Sequence, residues 1–154
     1  VVNDVEWYKR KSHVDATEEE IKAVEDQWGV TFPSDYREVA KEYHGCTPLR
    51  KKALNIGERE EAFKFLLSFS ENSKSLYILD VYNNIKDRLV DNVYPFANDP
   101  FGNCYCFDYR QSNTQPTIVF WDHEEAYENP EEGLSYLCNS FAELLNHLEE
   151  LKDS

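Results

Sequence analysis

The chain contains no methionine, not even at position 1, and only five glycines in 154 residues. A start at Val1 is therefore expected to be a trimmed or processed end. The glycines stand singly, which excludes the Gly-rich loop that cradles phosphates. No apolar run approaches the ~20 residues a membrane helix requires, and no signal-peptide pattern is present. Cations are scarce toward the C-terminus. From Asn92 onward twelve Asp and Glu face two Lys and Arg, and the whole chain carries −14. That balance argues against nucleic acid or an anionic membrane as direct ligand, because both want Lys and Arg.

Cysteine is also sparse, with Cys46, Cys104, Cys106 and Cys138 matching no secreted disulfide framework. Cys104 and Cys106 sit two apart on an expected strand, ~6.6 Å between α-carbons, the far limit of disulfide geometry. Reduced thiols in a cytoplasmic protein are the expectation. What the chain has in quantity is apolar and aromatic side chains, 41% and 14%. So much aromatic content marks a folded chain despite the charge, and the length suits one domain.

The central stretch runs from Tyr94 to Asp122. Val93-Tyr94-Pro95-Phe96, Cys104 to Tyr109 and Thr117 to Trp121 are short apolar runs separated by Asn, Asp, Pro and Gly, the pattern of strands joined by turns. Both parities are apolar. Tyr105, Phe107 and Tyr109 fall on one face and Cys104 and Cys106 on the other; Ile118 and Phe120 oppose Val119 and Trp121. A strand greasy on both faces belongs in a sheet covered on both sides.

Around this sheet the spacing predicts helices. Thr17-Glu18-Glu19-Glu20 matches a capping box, and Ile21, Val24 and Trp28 form one stripe ended by Gly29. Val1 to Ala16 reads as an arm or short helix. A second helix begins near Ser34 or Asp35 and buries Tyr36, Val39, Ala40 and Tyr43. Leu49 to Gly57 is a weak strand or loop carrying Arg50-Lys51-Lys52. Phe63 to Phe69 has strand alternation, with Phe63, Phe65, Leu67 and Phe69 on one face. A third helix, capped by Ser75, buries Leu76, Leu79, Tyr82, Ile85 and Leu89. His123 to Gly133 is an acidic loop, and Leu134 to Leu137 a short strand. A last helix from Asn139 or Ser140 buries Phe141, Leu144, Leu145, Leu148 and Leu151. The expectation is a single α+β domain: a mixed, mostly antiparallel central sheet flanked by about four helices.

Candidate chemistry is thin. Cys104, Cys106 and His123 invite a metal, but a zinc site draws four ligands from wrapped pairs, and here Cys-x-Cys stands alone. Core packing is the better reading of two cysteines on a buried strand. No signature supports a Cys–His nucleophile, and Asp99 with Asp122 is one carboxylate pairing among thirty acids. Asn98-Asp99-Pro100-Phe101-Gly102-Asn103 reads as a well-made turn. The acidic stretch after Trp121 has the amphipathic composition that protein interfaces use, with Tyr127 and Tyr136 nearby.

Several segments together resemble the SUKH superfamily. Thr17 to Ile21 leading into Trp28-Gly29-Val30-Thr31-Phe32-Pro33-Ser34-Asp35-Tyr36 is similar to its opening motif. Tyr94-Pro95-Phe96-Ala97-Asn98-Asp99-Pro100-Phe101-Gly102-Asn103 is similar to its central segment. Phe107-Asp108-Tyr109, Ile118 to Glu124 and Asn139-Ser140-Phe141 follow in the same order. The resemblance covers residues 17–151. It implies an α+β fold and a non-enzymatic role, with bacterial members acting as immunity proteins against polymorphic toxins and yeast cell-wall-synthesis regulators as interaction scaffolds.

The expected function is a cytoplasmic immunity protein that binds a cognate toxin carrying a basic nuclease domain, with no catalytic residue, metal or cofactor. The alternative is a regulatory scaffold without a toxin. Asp99, Asp122, Glu124, Glu125 and Glu128 are the expected charged contacts, and Trp121 and Tyr127 the expected aromatic anchors.

Overall fold

A computed structural model of the chain describes residues 5–151. Its centre is a four-stranded antiparallel sheet in the order β5-β6-β7-β8, formed by Val93–Asn98, Cys104–Asp108, Thr117–Trp121 and Leu134–Cys138. The register pairs Cys104 with Trp121, Tyr105 with Phe120 and Phe107 with Ile118. The two parities then separate as their alternation demands. Tyr105, Phe107, Tyr109, Ile118 and Phe120 enter the larger core, while Cys104, Cys106, Val119 and Trp121 enter a smaller one with Ile85, Leu89 and Ala126. Pro95 has no N–H for the ladder, and the register of β5 shifts between Pro95 and Ala97.

The first two helices pack on the larger core, which also takes in Ile78, Phe141, Leu144 and Leu145 from later helices. Helix α1, Glu18–Trp28, starts on the Thr17–Glu20 capping box and ends at Gly29 in the left-handed region. Helix α2, Ser34–Tyr43, buries Tyr36 among Phe32, Phe96, Phe107 and Phe141. Glu25 on α1 is buried as well. Its carboxylate accepts from Phe32 N–H at 2.6 Å and from Arg37 Nη2 at 3.0 Å, tying the α1–α2 linker to both helices. Val39 and Tyr43 are only half-buried.

Elsewhere tertiary bonds redirect the chain. Residues 1–4 of the expected arm lie outside the described residues; among residues 5–16 no helix forms, and β1, Trp7–Tyr8, pairs with β2, Thr47–Pro48. The weak strand is a hairpin of β3, Ala53–Ile56, and β4, Arg59–Ala62. Between Phe63 and Phe69 the regular alternation fails. Phe63, Leu66, Leu67 and Phe69 are buried and Phe65 is half-buried, because this segment bonds β5 on one side and the Gly45–Cys46 backbone on the other. The third helix starts late. Ser68 accepts from Ile78 N–H and donates to Leu76 O through its backbone, which holds residues 76 and 77 off the helix, and α3 spans only Ile78–Ile85. Glu71–Leu76 forms a 3-10 segment capped by Ser70, so Ser75 caps nothing.

The acidic stretch after Trp121 is not wholly a loop: it begins as α4, His123–Glu128. The final helix, α5, is short, Phe141–Asn146, with Ser140 as its cap. Leu148 then leaves the helical stripe for β9, Leu148–Glu149, where it pairs with Leu54 on β3, and Leu151 is exposed.

Candidate protein-binding face

At one end of the central sheet the β5–β6 turn meets the start of α4. Asp99, at the head of the turn, accepts from Phe101 N–H at 2.8 Å, Asn103 N–H at 2.9 Å and Asn103 Nδ2 at 2.9 Å. Carboxylates that bond their own following backbone define such turns. The Asn103 amide oxygen in turn meets His123 N–H at 3.0 Å and His123 Nδ1 at 2.7 Å. Gly102 lies directly against that ring: with φ at +92° it is in a region side chains avoid, and a Cβ there would sit 3.4 Å from the imidazole. The turn and helix are thereby joined.

Asp122 caps α4, accepting from Glu124 N–H at 2.9 Å and Glu125 N–H at 3.2 Å. Glu124 and Glu125 occupy the first turn, where the helix dipole favours negative charge. Ala126 seats the helix on the sheet, and Gly133 packs so closely on it that a Cβ would fall 2.5 Å from the alanine methyl. The outer side of α4 lines a shallow groove of about 760 Å³ with Glu124, Glu125, Glu128 and Glu132, and Arg88 is its one Lys or Arg among the described residues. Tyr127 stands 78% exposed beside it.

Two expected contacts belong elsewhere. Trp121 is fully buried in the smaller core, its Nε1–H donating to Arg88 O at 3.1 Å and the Arg88 guanidinium lying over its ring. The inward parity that pairs it with Cys104 removes it from a partner's reach. Asp99 is 5% exposed and its oxygens are occupied by the turn, so it builds the face without presenting charge on it. Glu124, Glu125, Glu128 and Tyr127 are exposed, and Asp122 is half-buried as a cap. Phe101, a turn residue by its sequence setting, stands 69% exposed on this same end. The available signal was the pairing of a large aromatic with Gly102 at a turn tip, where a core residue has no reason to be.

The thiols are inward. Burial pushes Cys104 and Cys138 up to about 12 and Cys106 well above its ordinary range. Among the described residues no cluster of three or more His, Cys, Asp and Glu is arranged to hold a metal ion. A second cavity, of about 780 Å³, lies beneath the N-terminal arm. There Cys46 Sγ is 3.8 Å from His13 Nδ1, but burial raises the thiol, the reverse of what a cysteine nucleophile needs. His44 also lines that cavity. It bonds Val14 O, Phe69 N–H and Ser68 Oγ. No described helix is long and apolar enough to cross a membrane.

The SUKH_6 family, described as SMI1-KNR4 cell-wall, matches residues 18–145. A relative, the SPbeta prophage-derived uncharacterized protein YokK of Bacillus subtilis (strain 168), is 30% identical over 149 residues, an alignment covering 84% of this chain and 72% of that protein. The matched span includes α1 and α2, the central sheet and all of the β5–β6 turn with α4, and the chain belongs to the SUKH family.

Proposed function

We propose that this chain is an immunity protein that acts in the cytoplasm, binding a cognate polymorphic toxin and neutralising it. SUKH domains are known from toxin-immunity settings and generally serve as non-enzymatic interaction domains. The observation that carries the reading for this chain is the acidic face of α4, with Tyr127 exposed among Glu124, Glu125 and Glu128.

The target is a nuclease domain. Nuclease surfaces are basic because they hold phosphates, and a carboxylate-lined groove complements them, speeding encounter and disfavouring wrong partners. Inhibition is by occupation: a bound acidic face denies the polyanionic substrate its site. Co-expression with the toxin encoded beside this gene tests the reading. Rescue of growth and co-elution of the two proteins are expected; continued killing with no complex on gel filtration refutes it for that pair. The cell-wall description of the family favours a second reading, a regulatory scaffold without a toxin. The absence of any toxin gene beside this one would favour the scaffold.

A further inference from the structure

Two of the most exposed aromatic side chains stand on either side of one residue. Phe101 is 69% exposed and Tyr127 is 78% exposed. His123 joins them: its ring packs on Gly102, the neighbour of Phe101, and it precedes Tyr127 by one helical turn. Two large aromatic side chains left in water on elements bonded to each other offer apolar surface that a partner can cover. The Phe101 backbone is held by Asp99, and Asn103 binds both the N–H and the ring of His123. The backbone under Phe101 and the start of α4 are thus already ordered before a partner docks, which lowers the cost of binding there.

The surroundings select the partner's chemistry. Glu124, Glu125, Glu128 and Glu132 line the groove beside Tyr127. Aromatic faces flanked by carboxylates match a guanidinium, which stacks flat on a ring while its N–H groups bind carboxylate in pairs. An ammonium satisfies the charge but not the stacking. A nucleic acid is repelled by the same carboxylates.

We propose that Phe101 and Tyr127 are paired anchors of a docking face for an arginine-rich segment of a partner protein, with the α4 carboxylates as its charged rim. This rests on the reading of α4 as the partner-binding edge and adds the turn residue and the arginine preference.

The test titrates the full chain by calorimetry with nona-arginine and nona-lysine peptides, and separately with an inactivated domain of the toxin encoded beside the gene. Phe101→Ser and Tyr127→Ser are compared with Tyr8→Ser, an exposed tyrosine on the N-terminal arm. Wild type is expected to bind nona-arginine more tightly than nona-lysine. Each anchor substitution should weaken nona-arginine by about twofold to fivefold, and Tyr8→Ser should change nothing. Unaltered thermal unfolding shows that each variant is folded. No binding of nona-arginine, or equal losses for all three variants, overturns the proposal. So does toxin bound with wild-type affinity by both anchor variants, although that result leaves the immunity function standing. Expected peptide results without any toxin binding overturn the immunity reading and leave the docking face intact.

Discussion

Acidification should loosen this protein through His44, and the sign follows from its hydrogen bonds. His44 is 5% exposed. Its Nδ1 accepts from Phe69 N–H at 3.0 Å, so that nitrogen bears no proton; Nε2 carries it and donates to Val14 O at 2.8 Å. A second proton would point at Phe69 N–H. Burial holds the imidazole below its ordinary value of 6.5, with the His13 ring 5.4 Å away adding to the effect, and the Val14 carbonyl, Glu20 and Asp15 opposing it. The folded state therefore refuses a proton that the unfolded state accepts near pH 6.5. Stability from this group is fully present above that pH and is lost as pH falls below it, until the depressed folded value is passed. The ceiling on the slope is about 1.4 kcal/mol per pH unit, and integrated to pH 5.5 the loss is at most about 1.4 kcal/mol. Urea unfolding of wild type and His44→Gln at pH 8, 7, 6 and 5.5 measures it. The variant is less stable throughout, since each buried group left without a partner costs about 1–3 kcal/mol. The difference between the two proteins should shrink as pH falls, and carboxylate titrations common to both cancel. Parallel profiles over that range would refute the assignment of His44 as a buried neutral clamp.

Other outcomes follow from packing. Glu25→Ala strands the buried Phe32 N–H and frees Arg37, and a loss of about 2 kcal/mol in unfolding free energy is expected by chemical denaturation. Leu148→Ala, in β9 against Leu54, should cost about 2–5 kcal/mol, whereas exposed Leu151→Ala should stay within about 0.5 kcal/mol; equal effects would place both on one helical stripe. Cys104, Cys106 and Cys138 should resist a thiol reagent at pH 8 in the native state and react on unfolding. Rapid labelling of the folded protein would show the central sheet to be open.

The candidate face was legible only in outline. Sequence reading placed Glu124, Glu125, Glu128 and Tyr127 on an exposed acidic stretch, and there they lie. It also chose Trp121 and Asp99, because charge and aromatic character are visible in a sequence and their direction is not. Trp121 shares the parity of Val119, which made its inward course inferable from the alternation that defined the strand. Phe101 passed unnoticed inside a motif whose Asn, Asp, Pro and Gly already explained a turn.

Local chemistry by itself determined the elements whose determinants are adjacent in the chain. The Thr17 capping box, the Gly29 stop, the Ser140 cap and the two-faced strands from Val93 to Trp121 all depend on neighbours within a few residues. Tertiary structure decided the rest, where a distant backbone competed for the same hydrogen bonds. Ser68 delayed α3, Leu54 drew Leu148 out of α5, and Cys46 and Phe96 turned the Phe63–Phe69 run into a segment bonded on both sides. The face at the end of the sheet belongs to this second class. Asn103 and His123 are twenty residues apart, and only the pairing of β6 with β7 brings the turn and α4 into one surface.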